Sequence, residues 1–272
     1  MGAIRPVALR TELTFTAREE EDGMPGLFIG CSGFTYPHWR GRFYPEKLPQ
    51  AQWFDYYCSV FSSVELNVTF YRLLKPETFD RWRRKSPPGF SFSVKGSRFI
   101  THVKRLIDPE EPLERFFDGA LRLEEKLRAV LWQFPPGFGR DTARLERFLA
   151  TLERYPVRNT LEFRDESWCT EEIFDLCRKA RAALCMADWP AFITDLPVTA
   201  DFVYIRRHGR GGGYASRYSL DELKSDARRI RIYLEEGRDV HIYFNNDIHA
   251  YATENARELI GFLEAGPNRE VP

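Results

Sequence analysis

From Leu27 onward the chain alternates two kinds of segment. Short apolar runs rich in β-branched and aromatic residues, at 27–32, 63–69, 90–95, 129–134, 160–164, 182–187, 202–207 and 240–245, read as strands. Between them, apolar positions recur at helical spacing near 51–59, 76–85, 112–127, 142–154, 170–178, 220–236 and 253–263. Strand and helix in turn predict a parallel sheet whose crossovers are helices. The boundaries have physical causes. Pro76 opens a helix where its missing N–H costs nothing. Asp141 and Ser219 stand at N-cap positions, and Gly237 stops the helix that precedes the last strand. Only Trp189 to Ala200, with two prolines, lacks a helical pattern, so the sixth crossover is expected to be short or irregular.

Eight strands suit either an open doubly wound sheet or a closed barrel. The first strand ends in Gly30-Cys31-Ser32-Gly33, which is too short for a dinucleotide fingerprint, and no GxxxxGK[ST] phosphate loop occurs. The chain has 272 residues, close to what a single (β/α)8 barrel of the triose-isomerase type needs. One barrel domain over 24–272 is therefore expected. Residues 1–23 end in the acidic run Glu19-Glu20-Glu21-Asp22 and fit no element. They are expected to be a leader outside the fold, either a disordered arm or sequence upstream of a start at Met24.

Charge and cysteine content narrow the partners. The 40 basic and 40 acidic residues cancel, which weakens a nucleic-acid-binding reading of the whole surface without removing it. The five cysteines, Cys31, Cys58, Cys169, Cys177 and Cys185, form no CxxC pair and are odd in number. That usage fits a reducing, cytoplasmic compartment without a disulfide framework. No apolar run is long enough to span a bilayer, so no membrane partner is expected.

The chemistry gathers where strands end. The second strand carries Glu65 and Asn67 on one face, the third ends in Lys95 and the fourth in Gln133. The fifth places Glu162 and Arg164 two apart, and the sixth ends in Asp188. The seventh runs Tyr204, Arg206, His208 at period two, and the eighth offers Asn245 and Asp247. In a parallel strand covered by helices the outer face must be apolar, so the alternate face points into the barrel. These groups are expected to converge at the mouth, where barrel enzymes build their sites. Two readings stand side by side. In one, Glu162, His208, Glu65 and Asp188 carry acid–base or hydrolytic catalysis, while Asn67, Lys95, Gln133, Arg164, Arg206, Asn245 and Asp247 hold a polar, anionic small molecule. In the other, the same charges form a self-neutralising network that caps the core.

Two loops bear on this. The one after the first strand is aromatic, from Phe34 to Pro45, and Tyr36 and Trp39 either stack on a ring-shaped ligand or pack down as a plug. The one after the seventh strand holds Arg210, Gly211, Gly212 and Gly213, whose free backbone N–H groups suit a phosphate. Structural zinc is excluded by the cysteine spacing. A divalent cation is left open, with Glu65, Glu162, Asp188, His208, Asp247 and His38 as oxygen and imidazole ligands, although Lys95, Arg164 and Arg206 would oppose it. A nucleic-acid-handling barrel and a non-catalytic metabolite-binding module remain the alternatives to an enzyme.

An ordered series of motifs resembles the YecE-like family, also called domain of unknown function 72. It runs through Gly30-Cys31-Ser32-Gly33 with Tyr36, Trp39 and Phe43-Tyr44-Pro45, Glu65-Leu66-Asn67 with Phe70-Tyr71, and Phe92-Ser93-Val94-Lys95. It continues through Gln133-Phe134-Pro135-Pro136, Glu162-Phe163-Arg164 with Ser167-Trp168, Tyr204-Ile205-Arg206-Arg207-His208-Gly209, and Phe244-Asn245-Asn246-Asp247. The resemblance covers about Leu27 to Leu263. It implies a triose-isomerase-type barrel, marks Glu65, Asn67, Lys95, Gln133, Glu162, Arg164, Arg206, His208, Asn245 and Asp247 as pocket residues, and brings no established biochemical function.

Overall fold

The computed structural model describes residues 24–188, 196–210 and 213–265. The leader at 1–23 and the core of the irregular sixth crossover lie outside the described residues. Eight strands close into a barrel in sequence order: β1 (Leu27–Ser32), β2 (Ser63–Leu66), β3 (Ser91–Lys95), β4 (Leu127–Gln133), β5 (Arg158–Glu162), β6 (Ala183–Ala187), β7 (Phe202–Arg207) and β8 (Asp239–Phe244). Every neighbouring pair is parallel, and β8 returns to β1 through the register Leu27↔Val240 to Cys31↔Phe244. The expected (β/α)8 architecture is the one observed.

The helices that cover the strands are α1 (Trp53–Cys58), α2 (Val68–Tyr71), α3 (Pro76–Lys85), α4 (Glu110–Ala120), α5 (Thr142–Leu152), α6 (Glu171–Lys179), α7 (Leu220–Glu235) and α8 (Tyr251–Glu264). Asp141 caps α5 by accepting from the Arg144 N–H, and Ser219 forms a capping box with Glu222 on α7. Apolar helix faces such as Leu113, Phe116 and Phe117 pack on outward strand residues such as Val130 and Trp132. Inside the barrel, large Phe202, Tyr204 and Tyr243 oppose small Ala129, Ala183 and Ala187, so the interior fills without a pore. Gly30 is required by this closure: a Cβ there would lie 2.0 Å from the Ser63 carbonyl oxygen on β2.

Three elements differ from their sequence expectation. The second strand stops at Leu66, because the chain turns into α2 and Thr69 Oγ1 donates to the carbonyls of Leu66 (3.0 Å) and Lys95 (2.6 Å). The helix expected over 112–127 ends at Ala120 and continues as a 3-10 turn broken at Glu124, φ 49°. That break aims Lys126 back at the end of α3, where its Nζ donates to the carbonyls of Arg83, Ser86 and Pro87 and to Ser86 Oγ at 2.7–3.0 Å. The fifth strand ends at Glu162, so Arg164 lies in the loop beyond it.

Candidate functional site

At the C-terminal ends of the strands the inward side chains form one connected charged network. Arg206 on β7 is at its centre and only 1% exposed. Its Nε lies 3.0 Å from Glu65 Oε2, its Nη2 2.9 Å from Glu65 Oε1, and its Nη1 2.7 Å from Glu162 Oε2. Arg164 Nη2 takes the other Glu162 oxygen. Ser32 Oγ and Tyr204 Oη, the latter at 2.7 Å, complete the shell around Glu65. All four carboxylate oxygens of the pair are thus committed to donors. The network arises because β1, β2, β5 and β7 each place an inward residue near the mouth, with Ser32 and Glu65 directly paired in register.

These contacts set the protonation states. Burial would raise the Glu162 pKa, yet Arg206 and Arg164 overcome it and hold the carboxyl far below its usual range. His208 Nε2 lies 3.1 Å from Arg206 Nη1 and 3.2 Å from Arg164 Nη2. Guanidinium groups only donate, so Nε2 accepts and the ring proton sits on Nδ1, facing Asp188 Oδ1 at 3.4 Å. Burial and the field of Arg206 lower the His208 pKa, which keeps the ring neutral. Asp188 also accepts from the His208 backbone N–H at 2.6 Å and from Tyr218 Oη.

Lys95 differs from the charges of this network. It is 8% exposed, and no described residue accepts a hydrogen bond from its Nζ. The amine sits 4.2 Å from the Phe70 ring centroid. Burial first, and Arg206 second, pull its pKa down to about 7. Beyond it, on the π-helical turn Phe99–Val103, His102 packs edge-on to Phe70 at 4.9 Å. Burial first, and then the fields of Lys95, Arg98 and Arg105 against that of Glu162, lower His102 to about 4, which places Arg98 and Arg105 near the rim above β3.

The other expected site residues are distributed more widely. Asn67 begins α2, and its Oδ1 is buried without a hydrogen-bond partner among the described residues. Gln133 and Asn245 are half-buried on the inward parity of β4 and β8. The Asp247 carbonyl receives Trp39 Nε1 at 2.9 Å and lies 2.8 Å from His38 Nε2, while burial raises the pKa of its carboxyl. Trp39 is fully enclosed among Phe43 and Tyr44, so this part of the aromatic loop is a plug. Tyr36 stays half-buried at the edge of the mouth, its hydroxyl donating to the Ser32 carbonyl at 2.5 Å. Arg210 points outward to Glu222 at 2.8 Å, Gly213 is exposed, and Gly211 and Gly212 lie outside the described residues.

Sequence reasoning passes over Ser32 and His102 as site residues, and it names Tyr204 at the mouth without giving it a role. Ser32 shares inward parity with Gly30, a signal that is present in the sequence, whereas His102 arrives on an irregular turn that no period reveals. For a divalent cation the ligand set is unfavourable: Glu65 and Glu162 are spent on arginines. Among the described residues no group of three or more His, Cys, Asp or Glu side chains is placed to hold a metal. Nor is any helix among them long and apolar enough to cross a membrane.

Comparison with known proteins agrees with this architecture. The chain is similar to the UPF0759 protein YunF of Bacillus subtilis (strain 168), 24% identical over 276 residues, which cover 88% of this chain and 95% of that one. It is similar to the UPF0759 protein YecE of Escherichia coli (strain K12), 29% identical over 127 residues, 46% of this chain and 44% of that one. The crystal structure of a DUF72 family protein from Thermotoga maritima MSB8 superimposes with a TM-score of 0.77 at 33% identity, covering 88% of this chain and 99% of that one. The pattern of the family described as "Protein of unknown function DUF72" matches residues 28–272, and the chain belongs to that family.

Proposed function

We propose that the mouth of the barrel is the active site of an enzyme performing acid–base chemistry on a small, polar, anionic molecule. The observation that carries this reading is Lys95: an amine on a largely buried side chain, without a hydrogen bond to any described residue, next to carboxylates that are already fully engaged. A largely desolvated amine at the strand ends, its pKa pulled to about 7, is a candidate functional group. A group that titrates near neutrality can both take and return a proton.

The roles expected from sequence shift accordingly. Glu162 and Glu65, expected as an acid–base pair, serve instead as fixed counter-charges that orient Arg206 and Arg164. His208, expected as a proton shuttle, presents Nε2 to two guanidinium groups and acts as a neutral brace held by Asp188. Arg98 and Arg105 at the rim supply positive potential for an entering anion.

Thermal unfolding in the presence of phosphorylated sugars and small carboxylic acids, each against its uncharged analogue, tests this reading. The charged members are expected to raise Tm and the neutral ones to leave it unchanged. Lys95→Met is expected to reduce that rise at least by half. An equal response to charged and neutral analogues, or a full response in Lys95→Met, would refute the assignment.

A further inference from the structure

We propose that Lys95 acts as a nucleophile, forming an imine with the aldehyde or ketone carbonyl of a small anionic substrate. The inference rests on the mouth being an anion-accepting active site and goes further by naming the bond that forms.

Four features of the geometry support it. First, the two arginines consume every oxygen of Glu65 and Glu162, so neither carboxylate stabilises an ammonium at position 95 by a hydrogen bond. Second, the amine lone pair is not tied up, because no described residue hydrogen-bonds to Nζ. Third, the backbone that carries it is rigid: Thr69 Oγ1 holds the Lys95 carbonyl at 2.6 Å, and the next N–H, that of Gly96, donates to the Leu131 carbonyl at 2.8 Å. Fourth, Arg98 and Arg105, outside any salt bridge with a described residue, stand on the same rim to hold the anionic end of a substrate. The Phe70 ring face favours the ammonium weakly, but burial and Arg206 oppose it and leave a large neutral fraction near neutral pH.

The step balances without an external reagent. The neutral amine attacks the carbonyl carbon and forms a C–N bond, while the carbonyl π electrons pass to oxygen, which takes a proton. The carbinolamine then loses its hydroxyl as water with the remaining nitrogen proton, leaving C=N. One water is released per imine, and protonation of the imine gives an iminium, an electron sink for proton removal at the adjacent carbon.

Two probes supply the test, pyruvate as a ketone with a carboxylate and glyceraldehyde 3-phosphate as an aldehyde with a phosphate. Each is incubated with the intact protein at pH 7 and sodium cyanoborohydride, which reduces only the iminium. Peptide mass mapping then locates the secondary amine. Lys95 is expected to be labelled by at least one probe about tenfold faster than exposed lysines such as Lys47 and Lys75. In Lys95→Arg that fast labelling is expected to vanish while the slow surface labelling persists.

Labelling of Lys95 no faster than the surface lysines with both probes would overturn the proposal. If the same probes still raise Tm in the wild type, the anion-binding reading survives and only the covalent step falls. If they do neither, both fall. Because the mapping is done on the wild-type protein, its outcome does not depend on whether the variant folds.

Discussion

Two buried lysines at opposite ends of the barrel show how a structural amine differs from one kept for chemistry. Lys126 stands at the base, just before β4, and is 9% exposed; Lys95 stands at the mouth, where β3 ends, and is 8% exposed. Burial lowers the pKa of both. Lys126 nevertheless has four oxygen acceptors within 3.0 Å, and its ammonium ties the end of α3 to the barrel. Lys95 has none among the described residues, although two carboxylates lie in the same network. The difference is one of allocation. At the base, backbone carbonyls left over by a helix terminus are free to accept. At the mouth, the arginines arrive with more donors than the carboxylates have oxygens to spare, and the lysine goes without.

The largest expected effect comes from removing the group that enforces this allocation. Arg206→Met leaves Glu65 and Glu162 buried without their shared counter-charge and is expected to cost about 3–5 kcal/mol in denaturant unfolding. A loss below about 1 kcal/mol would mean that the network is not a closed circuit.

A second effect separates the base from the mouth by pH. His241 on β8 is fully buried, stacked on Phe28 at 4.4 Å, and neither ring nitrogen has a hydrogen-bond partner among the described residues. Burial, reinforced by Arg158, lowers its pKa from 6.5 to about 3. The folded state therefore keeps the ring neutral where the unfolded chain binds a proton. The stability this provides is complete above pH 6.5 and is lost as pH falls towards 3. The group is expected to contribute about 1.4 kcal/mol per pH unit to that decline, and His241→Leu should remove this share of the slope between about pH 6.5 and 4.5. An unchanged slope in the variant would show that the ring is solvated or paired after all.

The smallest effects sharpen the lysine comparison itself. Lys126→Met is expected to lose about 1–2 kcal/mol, as four acceptors at the end of α3 lose a charged donor. Lys95→Met should change stability by less than about 1 kcal/mol, in either direction, because it removes an amine that makes no hydrogen bond to a described residue. Equal losses from the two substitutions would erase the distinction.

Much of the mouth is legible before folding. Glu65 and Glu162 each stand between apolar neighbours, whereas Arg206 is followed by Arg207, whose guanidinium turns outward to Asp226 on α7. The convergence of Glu65, Glu162 and Arg206 follows once the strands close. Asp188 reaches the site by a route its position along the strand does not suggest. It has the outward parity of Leu184 and Met186, yet its carboxylate meets the His208 backbone because the chain has already left the strand. Trp39 could not be placed from sequence, since an aromatic loop has no period to say whether its rings face a ligand or the core. In the fold its ring packs against Phe43 and Tyr44 while Nε1 donates to the Asp247 carbonyl beyond β8.

The sequence by itself determined the alternation of strands and helices and which face of most strands points inward, because periodicity and helix capping are local properties that each segment carries with it. Only the tertiary structure decided which charges pair. Glu65 and Arg206 are far apart along the chain, and hydrogen-bond partners are assigned by competition in space among all donors within reach. That competition, invisible to any window along the sequence, is what fixes Glu162 and His208 in one protonation state and leaves the Lys95 amine without a hydrogen bond to any described residue.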